Sequence, residues 1–122
     1  MILGVGTDII EISRIRKAAE RQTRLFTRLF TAAELAHIEQ GGRVKWNRAA
    51  GKFAAKEAIA KAIGNPCSWH DVEILPDTSG KPIPTLHKRA AGAMKGRQLR
   101  ISISHSRDYA IAVAILEAGD AE

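Results

Sequence analysis

The chain has 122 residues, of which 45% are hydrophobic and 26% charged, with 19 Lys and Arg against 13 Asp and Glu. That length suits one compact domain over residues 1–122, able to bury roughly two thirds of its unfolded surface without cross-links. The single cysteine, Cys67, excludes an internal disulfide and points to a reducing, cytoplasmic compartment. An aromatic share of 5% argues against a base-stacking surface, whereas the net charge of +6 calls for an acidic partner or ligand.

No run approaches the 18 to 20 apolar residues needed to span a bilayer. The start, MILGVGTDII, lacks the basic lead and long apolar stretch of a secretion signal. Cys67 and His70 have a ligand-like gap, but structural zinc takes four ligands and no second thiol exists to help complete a set.

Residues 2–12 read as a strand whose alternation places Gly4, Gly6 and Asp8 on one face and Leu3, Val5, Thr7 and Ile9 on the other. Two glycines on one face mean that something comes close to the backbone there, either a ligand or a packed helix. GVG without a third glycine is not a dinucleotide fingerprint. From Ser13, expected as an N-cap, a helix is predicted to Arg28. On it Arg14, Lys17, Arg21, Arg24 and Arg28 recur at 3, 4, 3 and 4 residues and form one basic stripe. A stripe of a single sign fits docking to an acidic surface better than an ordinary mixed face.

Thr31 with Glu34 three residues on predicts a capping box for a short helix that Gly41-Gly42 ends. His37 on that helix reads as a surface or packing residue. Asn47 to Gly64 reads as the long central helix, capped by Asn47, stopped by Gly64 and blocked by Pro66, with Gly51 its weak point. Ala50, Ala54 and Ala58 face the core. Phe53, Glu57 and Lys61 share a neighbouring face at i, i+4, which permits either a surface ion pair or a functional carboxylate.

After Pro66, Trp69 to Leu75 is expected as a strand, Pro76 to Pro84 as a turn-rich connection, and Thr85 to Lys95 as a helix closed by Gly96. The remainder, LRISISHSRDYAIAVAILE, is a β-hairpin with Ser104 to Asp108 at its corner. Adjacent strand residues point to opposite faces, so Ser104 and His105 are poorly placed as nucleophile and base. A polar corner that meets a phosphate is the better reading.

The run Gly4-Val5-Gly6-Thr7-Asp8 with Arg14 six residues on, and Phe53-Ala54-Ala55-Lys56-Glu57-Ala58 followed by Lys61, together resemble the holo-acyl-carrier-protein synthases. These are the short 4′-phosphopantetheinyl transferases. The resemblance extends from Met1 to the hairpin and includes the Gly80-Lys81-Pro82 turn. It implies an α+β fold in which a small antiparallel sheet packs on a long central helix and shorter helices. It implies transfer of phosphopantetheine from coenzyme A to a serine of apo acyl carrier protein in fatty acid biosynthesis, releasing adenosine 3′,5′-bisphosphate.

The resemblance also assigns residues. Asp8 and Glu57 would hold Mg²⁺ with the pyrophosphate, which the bare Gly4/Gly6 face would admit. Glu57 would be the base, directly or through a water on the metal, and Lys61 would neutralise phosphate charge. Ser104, His105 and Ser106, with Lys45, Lys52 and Lys81, would contact the ribose 3′-phosphate. Arg14, Arg21 and Arg24 would dock the acidic carrier. A homotrimer is implied, with active sites between subunits and the apolar hairpin face along its axis. Lys52 stands where the family often has Arg, and Ile10 where larger two-domain relatives carry a further acid, which leaves that metal position to water. A nucleic-acid-binding module that uses the basic stripe is the alternative, disfavoured by the low aromatic content. A hydrolase centred on His105 is weaker.

Overall fold

The structure, a computed structural model, describes residues 1–64 and 68–119; Pro66 and Cys67 lie outside the described residues. Its organising contact is a long helix laid across a three-stranded antiparallel sheet. Strands β1 (Ile2–Glu11), β4 (Arg97–His105) and β5 (Tyr109–Ala118) pair in the order β1-β5-β4. Helix α4 (Trp46–Ile63) crosses one face of that sheet. The expected α+β architecture is therefore present.

Side-chain size explains how closely the two layers meet. Register places Gly4, Gly6, Asp8 and Ile10 of β1 opposite Leu116, Ala114, Ala112 and Ala110 of β5. Facing them, Ala54, Ala58 and Ala62 of α4 are buried. A Cβ on Gly6 would fall 1.9 Å from the Ala58 carbonyl oxygen, and one on Gly4 2.0 Å from that of Ala62. The glycine face is thus covered by helix backbone. This corrects the expectation that it lies bare for a ligand: the close approach is α4 itself.

The other face of the sheet carries large apolar residues of β1 and β5. Leu3, Val5, Ile9, Tyr109 and Ile111 are each between 44% and 62% exposed, so this face is not the core of a single chain.

The basic segment is broken where one helix was expected. Helix α1 (Ile12–Arg21) begins after Glu11, not at Ser13, and ends where Gln22 turns extended; α2 (Leu25–Leu29) follows. Arg24 and Arg28 therefore leave the line of Arg14, Lys17 and Arg21. Ile15 of α1 and Leu29 of α2 are each buried, with Phe30 directly after, so both helices contribute to the core.

Helix α3 (Ala32–Ile38) has the expected capping box: Thr31 Oγ1 accepts from Glu34 N at 3.2 Å and Glu34 Oε1 from Thr31 N at 2.9 Å. Glu34 does more than cap. It is fully buried, accepts from Ile74 N at 2.8 Å, and pairs with Lys56 Nζ at 2.7 Å. Lys56 spends its other donors on the carbonyls of Leu29 and Trp69, both at 2.8 Å.

Helix α4 starts one residue before Asn47, with Lys45 at the cap, and ends at Gly64, whose φ of 83° is the left-handed stop. A 3₁₀ turn (Trp69–Asp71) replaces the start of the expected strand, which begins as β2 (Val72–Pro76). It pairs with β3 (Pro82–Leu86) in a second, two-stranded sheet. Part of the expected helix from Thr85 is therefore strand, and only Lys88–Gly92 forms α5. Asp77 Oδ1 accepts from the amides of Ser79 and Lys81 at 2.8 and 2.9 Å, which closes the Gly80-Lys81-Pro82 turn.

Candidate active site

Two cavities lie along α4, with no lining residue in common. The first, of about 430 Å³, is an apolar cleft with acids at its wall. Asp8 reaches it from β1, beyond the glycines that let the strand lie on the helix. Glu57 reaches it from α4, and Arg14 from α1. Ile10, Ile15, Leu25, Leu29 and Phe53 form apolar walls, and Phe53 is held by stacking on Trp69 at 5.3 Å. Two carboxylates 49 positions apart in sequence thus share one cleft.

Lys61, one turn beyond Glu57, is exposed. Its ammonium donates to the Thr7 carbonyl at 2.9 Å and stands 3.5 Å from Asp8 Oδ1. The ordinary i, i+4 pair between Glu57 and Lys61 is not what the helix makes; the lysine turns to β1 instead.

The donor set can be tested for Mg²⁺. Among the described residues no group of three or more His, Cys, Asp or Glu is placed to hold a metal. The pair Asp8 and Glu57 fits Mg²⁺, which takes one or two carboxylates and completes its shell with phosphate oxygens and water. It does not fit structural zinc. His70 is already engaged, its Nε2 2.7 Å from the Thr27 carbonyl, and Cys67 lies outside the described residues.

The second cavity, of about 180 Å³, opens between α3, α4, the β2–β3 turn and β4. His37, Asn47, Arg48, Lys52 and His105 line it, with Gly51, Gly80 and Pro82. Gly51, the weak point of α4, lets the helix pass β4: a Cβ there would meet Ile103 at 3.1 Å. His105 sits at the end of β4 opposite Ala110 of β5, on the sheet face that α4 covers. Burial, then the charges of Lys52, Arg48 and Lys45, lowers the His37 pKa to about 4. Burial, helped by Arg48 and Lys56 and opposed by Glu34, lowers that of Lys52 to about 8.

The other expected phosphate contacts are dispersed. Ser104 pairs with Ile111 on the outer face of the sheet, away from His105. Ser106 closes the corner, its amide donating to the Tyr109 carbonyl at 2.8 Å. Lys45 occupies the N-cap position of α4 without a side-chain capping bond, and its ammonium donates to the Gln40 carbonyl. Lys81 projects from the turn between Gly80 and Pro82, exposed and outside the lining. Arg21 and Arg24 are exposed at the end of α1 and in the break before α2.

Sequence reasoning missed Arg48, and placed His37 outside the site. Arg48 stands one turn before Lys52 on α4, a spacing that was legible; His37 gave no such signal. Arg48 Nη1 bonds the His37 carbonyl at 2.7 Å and Gln40 Oε1 at 2.9 Å, which fixes α3 to α4 beside the cavity.

Comparison with known proteins matches this arrangement to one family. A family model described as the 4′-phosphopantetheinyl transferase superfamily matches residues 4–114. A holo-[acyl-carrier-protein] synthase of Clostridium beijerinckii is 46% identical over 123 residues, spanning 97% of this chain and 99% of its own. The crystal structure of a holo-ACP-synthase from Plasmodium yoelii is similar with a TM-score of 0.86 and 33% identity, over 98% of each chain. A Bacillus anthracis holo-(acyl-carrier-protein) synthase in complex with CoA (3′,5′-ADP) is similar with a TM-score of 0.79 and 35% identity, over 98% and 99%. The chain belongs to the 4′-phosphopantetheinyl transferase superfamily and, within it, to the holo-[acyl-carrier-protein] synthases.

Proposed function

We propose that Asp8 and Glu57 are the Mg²⁺-binding and catalytic centre for the transfer this family performs, from coenzyme A to a serine of apo acyl carrier protein. The observation that carries the reading is the shared cleft: a strand carboxylate and a helix carboxylate wall one cavity, with Lys61 against the first of them. A bound Mg²⁺ would supply charge neutralisation at the pyrophosphate.

The chain's own residues do the rest. Glu57 takes the proton of the serine hydroxyl. The serine oxygen then bonds the β-phosphorus, the bond from that phosphorus to the bridging oxygen breaks, and adenosine 3′,5′-bisphosphate leaves. Lys61 balances charge on the leaving phosphate. Positioning and electrostatics supply most of the rate.

The basic cavity takes the nucleotide end, with His105 and Lys52 toward the 3′-phosphate and Lys45, Lys81 and Ser106 at its margins; Ser104, on the sheet's outer face, takes no part within one chain. The acid cleft and the basic cavity share no residue within one chain, and the sheet's outer face is apolar and exposed. Both features support a homotrimer in which that face is buried between copies and each site joins the cleft of one subunit to the corner of its neighbour. No helix among the described residues is long and apolar enough to cross a membrane. Work in the cytoplasm, in fatty acid biosynthesis, follows from the carrier substrate.

The carrier docks on Arg14, Arg21 and Arg24; that Arg14 lines the acid cleft and that Arg21 and Arg24 are exposed support this reading. The test reads the mass of apo carrier protein after incubation with coenzyme A, Mg²⁺ and this protein. The carrier is expected to gain one phosphopantetheine, and an unchanged mass where a known transferase acts would overturn the reading. Charge reversal at Arg14, Arg21 or Arg24 should raise KM for the carrier and leave coenzyme A binding nearly intact. A loss confined to coenzyme A binding would move the docking face elsewhere.

A further inference from the structure

The basic cavity has an unusual balance. Among its lining residues are Arg48, Lys52 and the imidazoles of His37 and His105, and no carboxylate. Lys52 is only 5% exposed, yet its ammonium donates one bond, to the Ile74 carbonyl at 3.0 Å. An ammonium has three donors. A buried cation with donors left over, on the wall of an acid-free cavity, is built to receive an anion. We infer that anion binding in this cavity is coupled to proton uptake by Lys52, so that a lysine at this position makes coenzyme affinity fall at alkaline pH. The inference rests on the reading that the cavity takes the phosphate-bearing end of coenzyme A.

The physical reason is competition for the lysine's charge. Burial disfavours the ammonium, Arg48 and Lys56 of α4 repel it, and Glu34 of α3 favours it from behind; His37 of α3 and His105 of β4 complete its surroundings. The sum leaves Lys52 titrating near pH 8 in the free protein. A phosphate beside it favours the charged form and raises that pKa. The sign follows by linkage. Below about pH 8 the lysine carries its proton in both states and affinity does not change on its account. Above it, binding must draw a proton from solvent, and affinity weakens as pH rises until the bound-state pKa is reached. Arginine at the same position stays charged throughout.

The experiment measures binding of adenosine 3′,5′-bisphosphate by calorimetry from about pH 7 to about 9.5, a range that brackets the free lysine's titration. Wild type, Lys52→Arg and Lys52→Met are compared. Wild-type affinity is expected to drop about tenfold or more across that range, because each pH step of one between the free and bound pKa values weakens binding about tenfold. Lys52→Arg should bind with little pH dependence. Lys52→Met, which needs no new space for a fork of nitrogens, should bind at every pH about as weakly as wild type at the alkaline end. Groups that titrate elsewhere are common to all three proteins, so the difference isolates Lys52. A wild-type curve that is flat, or a slope retained in both variants, would overturn the coupling while leaving the cavity as the nucleotide site. Absence of binding by wild type at any pH would overturn the placement of the nucleotide in this cavity, and the coupling with it.

Discussion

Replacing Lys56 by methionine is expected to remove about 3–5 kcal/mol of folding stability, the usual cost of stripping one partner from a buried ion pair. Lys56 and Glu34 have side chains that are 2% and 0% exposed and meet at 2.7 Å. Without the ammonium, Glu34 keeps only the amides of Thr31 and Ile74, and the carbonyls of Leu29 and Trp69 lose their donor. That one nitrogen joins α4 to the end of α2, to α3 and to the 3₁₀ turn before β2. Since small domains hold only about 5–15 kcal/mol in all, the variant should unfold at a much lower urea concentration. Lys56→Met combined with Glu34→Leu should recover part of the loss, because neither partner of this pair is left as an unpaired buried charge; recovery stays partial because two amides are left without an acceptor. A loss below about 1 kcal/mol for the single variant would show that the pair does not join these elements.

Gly6→Ala is the second large effect. Its methyl would sit 1.9 Å from the Ala58 oxygen and 2.8 Å from the Ala62 nitrogen. Both obstacles are helix backbone, so no rotamer change relieves them, and β1 must part from α4. The cost should reach or exceed about 3 kcal/mol, the upper end of ordinary overpacking. Asp8 lies two residues along the same face, so the movement also separates it from Lys61 and from the cleft it shares with Glu57. Thermal unfolding and transfer activity should fall together. A variant with wild-type stability would mean that strand and helix do not touch at this point.

These two sites also show what a single sequence displays and what it withholds. The glycines of β1 announced a close approach, but alternation alone does not say whether a helix or a ligand makes it. The hairpin behaved likewise: Ile111 and Ile115 alternate with Ala112 and Ala114, and either face satisfies the pattern. In β5, Ala110, Ala112 and Ala114 turn inward because α4 is itself alanine-rich and lies close, while Ile111 and Tyr109 go to the outer face; Leu99, Ile101 and Ile103 of β4 stay on the inner one.

Lys56 read as a helix former because propensity says nothing of burial. Its position carried a signal all the same. Ala49, Lys52, Lys56 and Ile59 recur at 3, 4 and 3 residues, so two lysines occupy a stripe bounded by core residues. The basic stripe failed for the converse reason: charge spacing ran on smoothly through Gln22 and Thr23, but Gln22 turns extended and a new helix starts at Leu25, a break that the charge pattern does not mark. Strand β3 was hidden by its prolines. Pro82 and Pro84 are tolerated because this strand is the edge of a two-stranded sheet. The acid pair was legible only through the resemblance of its two motifs, since neither Asp8 nor Glu57 alone differs from a surface carboxylate.

The catalytic claim for that pair meets its most direct test in the carrier's mass. Apo acyl carrier protein would be incubated with coenzyme A, Mg²⁺ and either Asp8→Ala or Glu57→Gln, each first shown by circular dichroism to be folded. Both variants are expected to modify the carrier at least about 10³-fold more slowly than wild type, on the scale of several kcal/mol for a lost charge-stabilising centre. Conversion by either one at a rate within about tenfold of wild type would contradict the assignment.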